Sequence, residues 1–258
     1  MSQAQGKFVW YELMTTDTKA AAQFYRKLIG WNMDAFEHGN FTYEIFKAGE
    51  VPIGGLMTLP AEACEAGAQP GWLGYIAADD VDATAARIRA TGGTVHRQPA
   101  DIPDVGRFAV VADPQGAVFA LFRGKDCGED YGQVALGTPG HGGWHELMAR
   151  DWASVFPFYA EIFGWTKADA LDMGEMGTYQ LFAWNGQPIR GMMNKPKDIP
   201  QPFWGYYFNV PEIRTAQEIV TRNGGAVLNG PAQVPGGSWI MQCKDPQGVF
   251  FSVAAPPA

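Results

Sequence analysis

Apolar and polar positions alternate along short stretches and then switch to helical spacing, and the switch recurs four times. Phe8 to Met14 is short and β-prone, which predicts a strand. Ala20, Ala21, Phe24, Tyr25 and Leu28 then recur at helical spacing, with Lys19, Arg26 and Lys27 on the other faces. Asp17 or Thr16 caps that helix and Gly30 stops it. Strands are expected at Trp31–Phe36, Thr42–Lys47 and Pro52–Thr58. A small-residue stretch from Pro60 to Pro70 reads as a linker. The order then returns: a strand at Trp72–Ala77, a helix opened by Asp80-Val81-Asp82 and closed by Gly92-Gly93, and strands at Thr94–Gln98, Phe108–Ala112 and Val118–Phe122. Asp113-Pro114-Gln115-Gly116 supplies a tight turn between the last two.

The second half repeats this plan. Trp10-x-Glu12-Leu13-Met14, Asp17, Tyr25 and Trp31 recur as Trp144-x-Glu146-Leu147-Met148, Asp151, Tyr159 and Trp165, at a constant offset of 134 positions. From Trp72 and Trp204 onward the offset is 132, and the difference falls in loops. The helix of the last module is expected at Ile213–Asn223, and its last strands at Ser238–Cys243 and Val249–Ala254 around Asp245-Pro246-Gln247-Gly248. The fold class expected is α+β, with four βαβββ modules in two tandem pairs. The domains expected are 6–124 and 141–256, joined by a linker at 125–140 that is rich in glycine and acidic residues. A short module cannot bury the apolar face of an open sheet alone, so modules must pair, within one chain or between two copies as a homodimer.

Composition narrows the function classes. A formal net charge of −8 offers no basic footprint for a nucleic-acid backbone or an anionic membrane. Cys64, Cys127 and Cys243 are odd in number and far apart, which supports neither a disulfide framework nor a zinc ribbon. No apolar core follows the polar start Ser2-Gln3-Ala4-Gln5-Gly6, and no run is long enough for a membrane helix, so a cytoplasmic location is expected.

Together, Asp17…Phe24-Tyr25…Leu28-Ile29-Gly30-Trp31, Asp80-Val81-Asp82-Ala83, Gly92-Gly93 and Asp113-Pro114-Gln115-Gly116 resemble the vicinal oxygen chelate superfamily. That superfamily contains glyoxalase I, extradiol dioxygenases and bleomycin-resistance proteins. The nearest likeness is to its tandem-duplicated, glyoxalase-like members. The resemblance implies two modules closing into a cup, with a ligand inside and, in the enzymes, a divalent metal on His, Glu or Gln. It places those ligands seven positions before the helix-opening Asp and seven after the Asp of the turn. There this chain has Trp10, Leu73 and Ala120 in one half and Trp144, Gly205 and Ser252 in the other. None is a strong ligand, so the resemblance leads to no metal and no cofactor.

Strand alternation puts Trp10, Glu12 and Met14 on one face, and likewise Trp144, Glu146 and Met148. The two Trp rings serve either to stack a flat ligand or to plug the space. Glu12 and Glu146 either accept hydrogen bonds from a ligand, act as general bases, or pair structurally with an Arg or Tyr across the sheet, Arg107 being one choice. Tyr75 and Tyr207 point into the cup on parity, while Trp72 and Trp204 point away; each Tyr offers a ligand a hydroxyl or is a core residue bonded to backbone, the latter expected for at least one of them. Met57, Met192 and Met193 fall where the cup tapers. His145 faces the other side of its strand from Trp144. Of His38, His96, His141 and His145, a metal site from His141, His145 and a carboxylate is conceivable but matches no known spacing and has no equivalent in the first half, so surface or satisfied histidines are expected. Three readings follow: a metal-free protein that sequesters or senses a small apolar or aromatic molecule; a glyoxalase-type lyase or isomerase using Glu12 or Glu146 as base, with or without a metal at a non-standard site; or a protein in which one cup binds and the other is a packing scaffold.

Overall fold

A computed structural model describes residues 4–38, 41–125, 135, 137–184 and 186–257. Most of the 125–140 linker, together with Cys127, lies outside the described residues. The first module is β1 (Phe8–Thr15), α1 (Thr18–Ile29), β2 (Asn32–His38), β3 (Phe41–Ala48) and β4 (Val51–Thr58). After a short helix α2 (Ala61–Glu65), the second is β5 (Gly71–Ala77), α3 (Val81–Ala90), β6 (Thr94–Ile102), β7 (Gly106–Ala112) and β8 (Val118–Gly124). The third is β9 (Gly142–Ala149), α4 (Trp152–Phe163), β10 (Thr166–Asp172), β11 (Thr178–Trp184) and β12 (Gln187–Asn194). The fourth is β13 (Phe203–Asn209), α5 (Ile213–Arg222), β14 (Ala226–Gln233), β15 (Trp239–Lys244) and β16 (Phe250–Ala255).

The α+β class and the four βαβββ modules are therefore observed. Two details differ from expectation. The stretch 60–70 is not wholly irregular, because it carries α2. The strand β14 was not anticipated, because Asn229, Gly230 and Pro231 break its apolar alternation and its register with β15 shifts twice.

Helix boundaries follow local chemistry. Asp17 accepts from Ala20 N at 2.9 Å, and Asp80 from Ala83 N at 2.9 Å, satisfying amides that a first helical turn leaves orphaned. Glu212 caps α5 through Arg214 N and Thr215 N, which holds its carboxyl below the usual range. Gly30 and Gly164 end α1 and α4 in the left-handed conformation, which costs other residues a steric clash.

Hydrogen bonding orders the strands β2-β3-β4-β1-β5-β8-β7-β6 and β10-β11-β12-β9-β13-β16-β15-β14. Within each module the first strand runs parallel to the last and the remaining pairs are antiparallel. Contacts divide the chain into two compact units, and each takes a module from both repeats. One holds the chain up to Val9, the second module from Gly74, and the third module from His145 to Gly205. The other holds Trp10–Leu73, Trp144 with the loop before it, and Tyr206 onward.

Each unit has the same aromatic core. In the unit that starts at Trp10, Tyr25 of α1 packs among Trp31, Phe46, Trp72 and Phe251, and Phe208 meets Trp31 and Trp72. Trp72 Nε1 donates to Tyr25 Oη at 3.1 Å, and Tyr25 donates to Asp245 at 3.2 Å. In the other unit Tyr159 stacks on Trp165, Trp204 Nε1 donates to Tyr159 Oη at 3.1 Å, and Tyr159 donates to Asp113 at 2.9 Å. The Asp of each Asp-Pro-Gln-Gly turn is thus a buried anchor as well as a turn residue. Burial raises both carboxyls above their usual range.

Candidate functional site

The face of the first module away from its helix carries Trp10, Glu12 and Met14. Opposite parity sends Tyr11 and Leu13 into the core, where both are buried. Glu12 is also buried, at 8% exposure. Its partner is Tyr43 on β3, whose hydroxyl donates to Glu12 Oε2 at 2.9 Å. Trp10 Nε1 in turn donates to Tyr43 Oη at 3.0 Å. The structure therefore joins Trp10 and Glu12 through a third residue. Burial, and then the charge of Glu12, push the Tyr43 hydroxyl far above its usual range, so it stays a proton donor at neutral pH.

Gly55 explains why the ring fits. It lies opposite Glu12 on β4, and a Cβ there would collide with the Tyr43 hydroxyl. The third module repeats this. Glu146 is buried, Gly191 lies opposite it on β12, and a Cβ on Gly191 would collide with the Tyr179 ring. The Glu–Gly–Tyr set spans three strands, so no spacing along one strand shows it. A glycine at Gly55 and at Gly191, each in a strand, was the available signal. Arg107 is not the partner of Glu12; it is committed to Asp82 at 2.6 Å and Asp101 at 2.9 Å.

Met14 lies opposite Met57, and Met148 opposite Met193, on parallel neighbours. Trp144 is half-buried. Tyr75 stacks near Phe108 at 6.4 Å and edges Phe122 at 6.2 Å, within its own module. Tyr207 accepts from Gln242 Nε2 at 3.0 Å, within the fourth module. His145 is buried and stacks on Phe8 with centroids 4.3 Å apart. Burial, and then the charge of Arg190, hold its imidazole well below the usual range, so it is neutral at pH 7. His141 lies with Nδ1 3.2 Å from the Pro139 carbonyl.

At the positions where the resemblance places metal ligands, the indole N–H of Trp10 is a donor without a lone pair to offer, Leu73 and Ala120 are buried apolar groups, and Ser252 is a neutral hydroxyl. Among the described residues no group of three or more His, Cys, Asp or Glu could hold a metal ion. The residues present do not fit the divalent metal of the superfamily's enzymes.

The model of the Glyoxalase/Bleomycin resistance protein/Dioxygenase superfamily matches residues 7–121 and again 135–253. The chain belongs to that superfamily. CFP32 of Mycobacterium tuberculosis, which bears a provisional glyoxylase label, is 30% identical over 98% of this chain and 95% of its own. The anthracycline biosynthesis protein DnrV of Streptomyces peucetius is 29% identical over 97% of this chain and 93% of its own. Among solved structures, the 2,3-dioxygenase LapB from Pseudomonas sp. KL28 superposes with a TM-score of 0.67 at 14% identity, covering 99% of this chain and 94% of that one. A Mn(II)-bound glyoxalase from Novosphingobium aromaticivorans gives 0.65 at 17% identity, covering 98% and 82%. At such identities these two show the fold alone. No helix among the described residues is long and apolar enough to cross a membrane.

Proposed function

We propose that this member of the superfamily binds a flat, largely apolar small molecule without using a metal, to sequester or sense it. The Trp10–Tyr43–Glu12 chain of hydrogen bonds carries the reading. Trp10 is half-buried, so part of its ring offers a stacking surface. Its N–H is tied down, which fixes the ring before a ligand arrives and lowers the ordering cost of binding. The carboxylate two residues on is held through Tyr43 rather than loose, which suits orienting a ligand's donor group. Met14 lines the same face with an adaptable apolar side chain. The missing ligand set supports the metal-free part. The likeness to proteins named for anthracycline biosynthesis is in keeping with an aromatic ligand.

Two measurements test this. Elemental analysis of protein purified without a chelating tag should find no stoichiometric manganese, iron, nickel or zinc; one metal per repeat would sink the metal-free reading. A thermal-shift screen of planar aromatic compounds should return hits whose shifts shrink in Trp10→Ala and Glu12→Gln. Shifts untouched by both substitutions would remove this face as the site.

A further inference from the structure

The second and fourth modules share a fold but differ along one row of side chains. In the fourth, Tyr207 on β13 lies opposite Ser252 on β16, Ser252 opposite Gln242 on β15, and Gln242 opposite Asn229 on β14. Residues in register on neighbouring strands project to the same face. This face lies away from the helices, because the alternate residue Phe251 packs on Phe24 and Tyr25 of α1. Gln242 Nε2 donates to Tyr207 Oη at 3.0 Å, spanning the strand that bears Ser252. Asn229 Nδ2 donates to Gln242 Oε1 at 3.3 Å.

Ser252 is fully buried, and its hydroxyl has no hydrogen-bond partner. The fold does not require a hydroxyl there. The corresponding row of the second module reads Tyr75, Ala120, Val110 and Arg97, with Ala120 at the matching place. Where the second module has Ala, Val and Arg, the fourth has Ser, Gln and Asn, and the hydroxyl of Ser252 is left unsatisfied. A buried unpaired hydroxyl costs stability, so it needs an account beyond folding.

We propose that Ser252, Gln242 and Tyr207 form a subsite for a neutral hydroxyl- or carbonyl-bearing group of a ligand. The row holds donors and acceptors but no charged side chain, which suits a neutral oxygen rather than a carboxylate or phosphate. The Gln242 amide turns from Tyr207 to the ligand, and the ligand's oxygen then pairs with Ser252 Oγ. The subsite rests on the small-molecule reading but not on the Trp10–Tyr43–Glu12 face.

The test compares 1,4-dihydroxyanthraquinone with unsubstituted anthraquinone by titration against the full chain. The wild-type protein should prefer the dihydroxy compound by about tenfold in Kd, the scale of one net hydrogen bond. Ser252→Ala and Gln242→Val introduce the residues that the second module already carries, and each should abolish the preference. Trp10→Ala should weaken both probes alike and leave the ratio intact, so the two sites fail separately. No preference in the wild type overturns the subsite, and so does a preference that survives both substitutions. Loss of thermal stability in Ser252→Ala without ligand also overturns it, because the hydroxyl would then have a structural partner.

Discussion

The first and third modules share one device, while the second and fourth differ along one row. Glu12, Gly55 and Tyr43 in one repeat match Glu146, Gly191 and Tyr179 in the other, down to the glycine that makes room for the ring. Against that, Tyr75, Ala120, Val110 and Arg97 face Tyr207, Ser252, Gln242 and Asn229. One row has an apolar middle, Ala120 and Val110, and ends in the Arg97 guanidinium over the Phe108 ring at 4.7 Å. The other is an amide and hydroxyl chain. The shared device is a common way of fitting a tyrosine ring over a glycine beside a buried carboxyl group. The divergent rows are where the polar chemistry of the two repeats differs, and the proposed subsite lies in one of them.

Gly55→Ala places a methyl against Tyr43 and should cost about 3 kcal/mol in chemical denaturation, the upper end of overpacking penalties. Adding Tyr43→Ala should return part of that loss, and failure to do so would show that the glycine serves the backbone instead. Tyr43→Phe alone removes the donor to a buried carboxyl group and should cost about 2 kcal/mol. Gly191→Ala should behave as Gly55→Ala does; indifference there would end the claim of equivalence.

Ser252→Ala should gain about 1 kcal/mol by removing an unpaired hydroxyl, and the reciprocal Ala120→Ser should lose a similar amount. Equal and opposite shifts would locate the difference in that one group. The smallest test concerns pH. His145 stands where the first repeat has Tyr11. Its folded imidazole is held below the usual value, so the folded state resists protonation while the unfolded chain accepts it. Stability from this group is full above about pH 6.5, the unfolded value, and is lost as pH falls below it. His145→Phe should flatten that acid limb in thermal melts between pH 7 and 5; an unchanged slope would assign the limb to other groups.

The repeat, the caps at Asp17 and Asp80 and the Asp-Pro-Gln-Gly turns were legible in the sequence because each is local chemistry. Parity along a single strand also placed Trp10 with Glu12, and set Tyr75 on the opposite face from Trp72. What joins strands was not legible. Tyr43 lies 31 positions from Glu12 and depends on a glycine in a third strand. Asp113 and Asp245 read as turn residues, yet they meet Tyr159 and Tyr25 in the cores of their units. Ser252 entered the reading as an absent metal ligand, and its register with Tyr207 and Gln242 needed the fold. The same holds for the compact units, each built from one module of either repeat, which no linker composition announces.

Metal-free binding of a flat ligand on the Trp10 face is tested by titrating anthraquinone into chelator-treated protein and following tryptophan fluorescence. The expected result is the same Kd before and after chelation, with about tenfold weaker binding in Trp10→Ala, the scale of one aromatic contact. Binding that disappears on chelation and returns with added Mn(II), or that is as tight in Trp10→Ala as in the wild type, would contradict it.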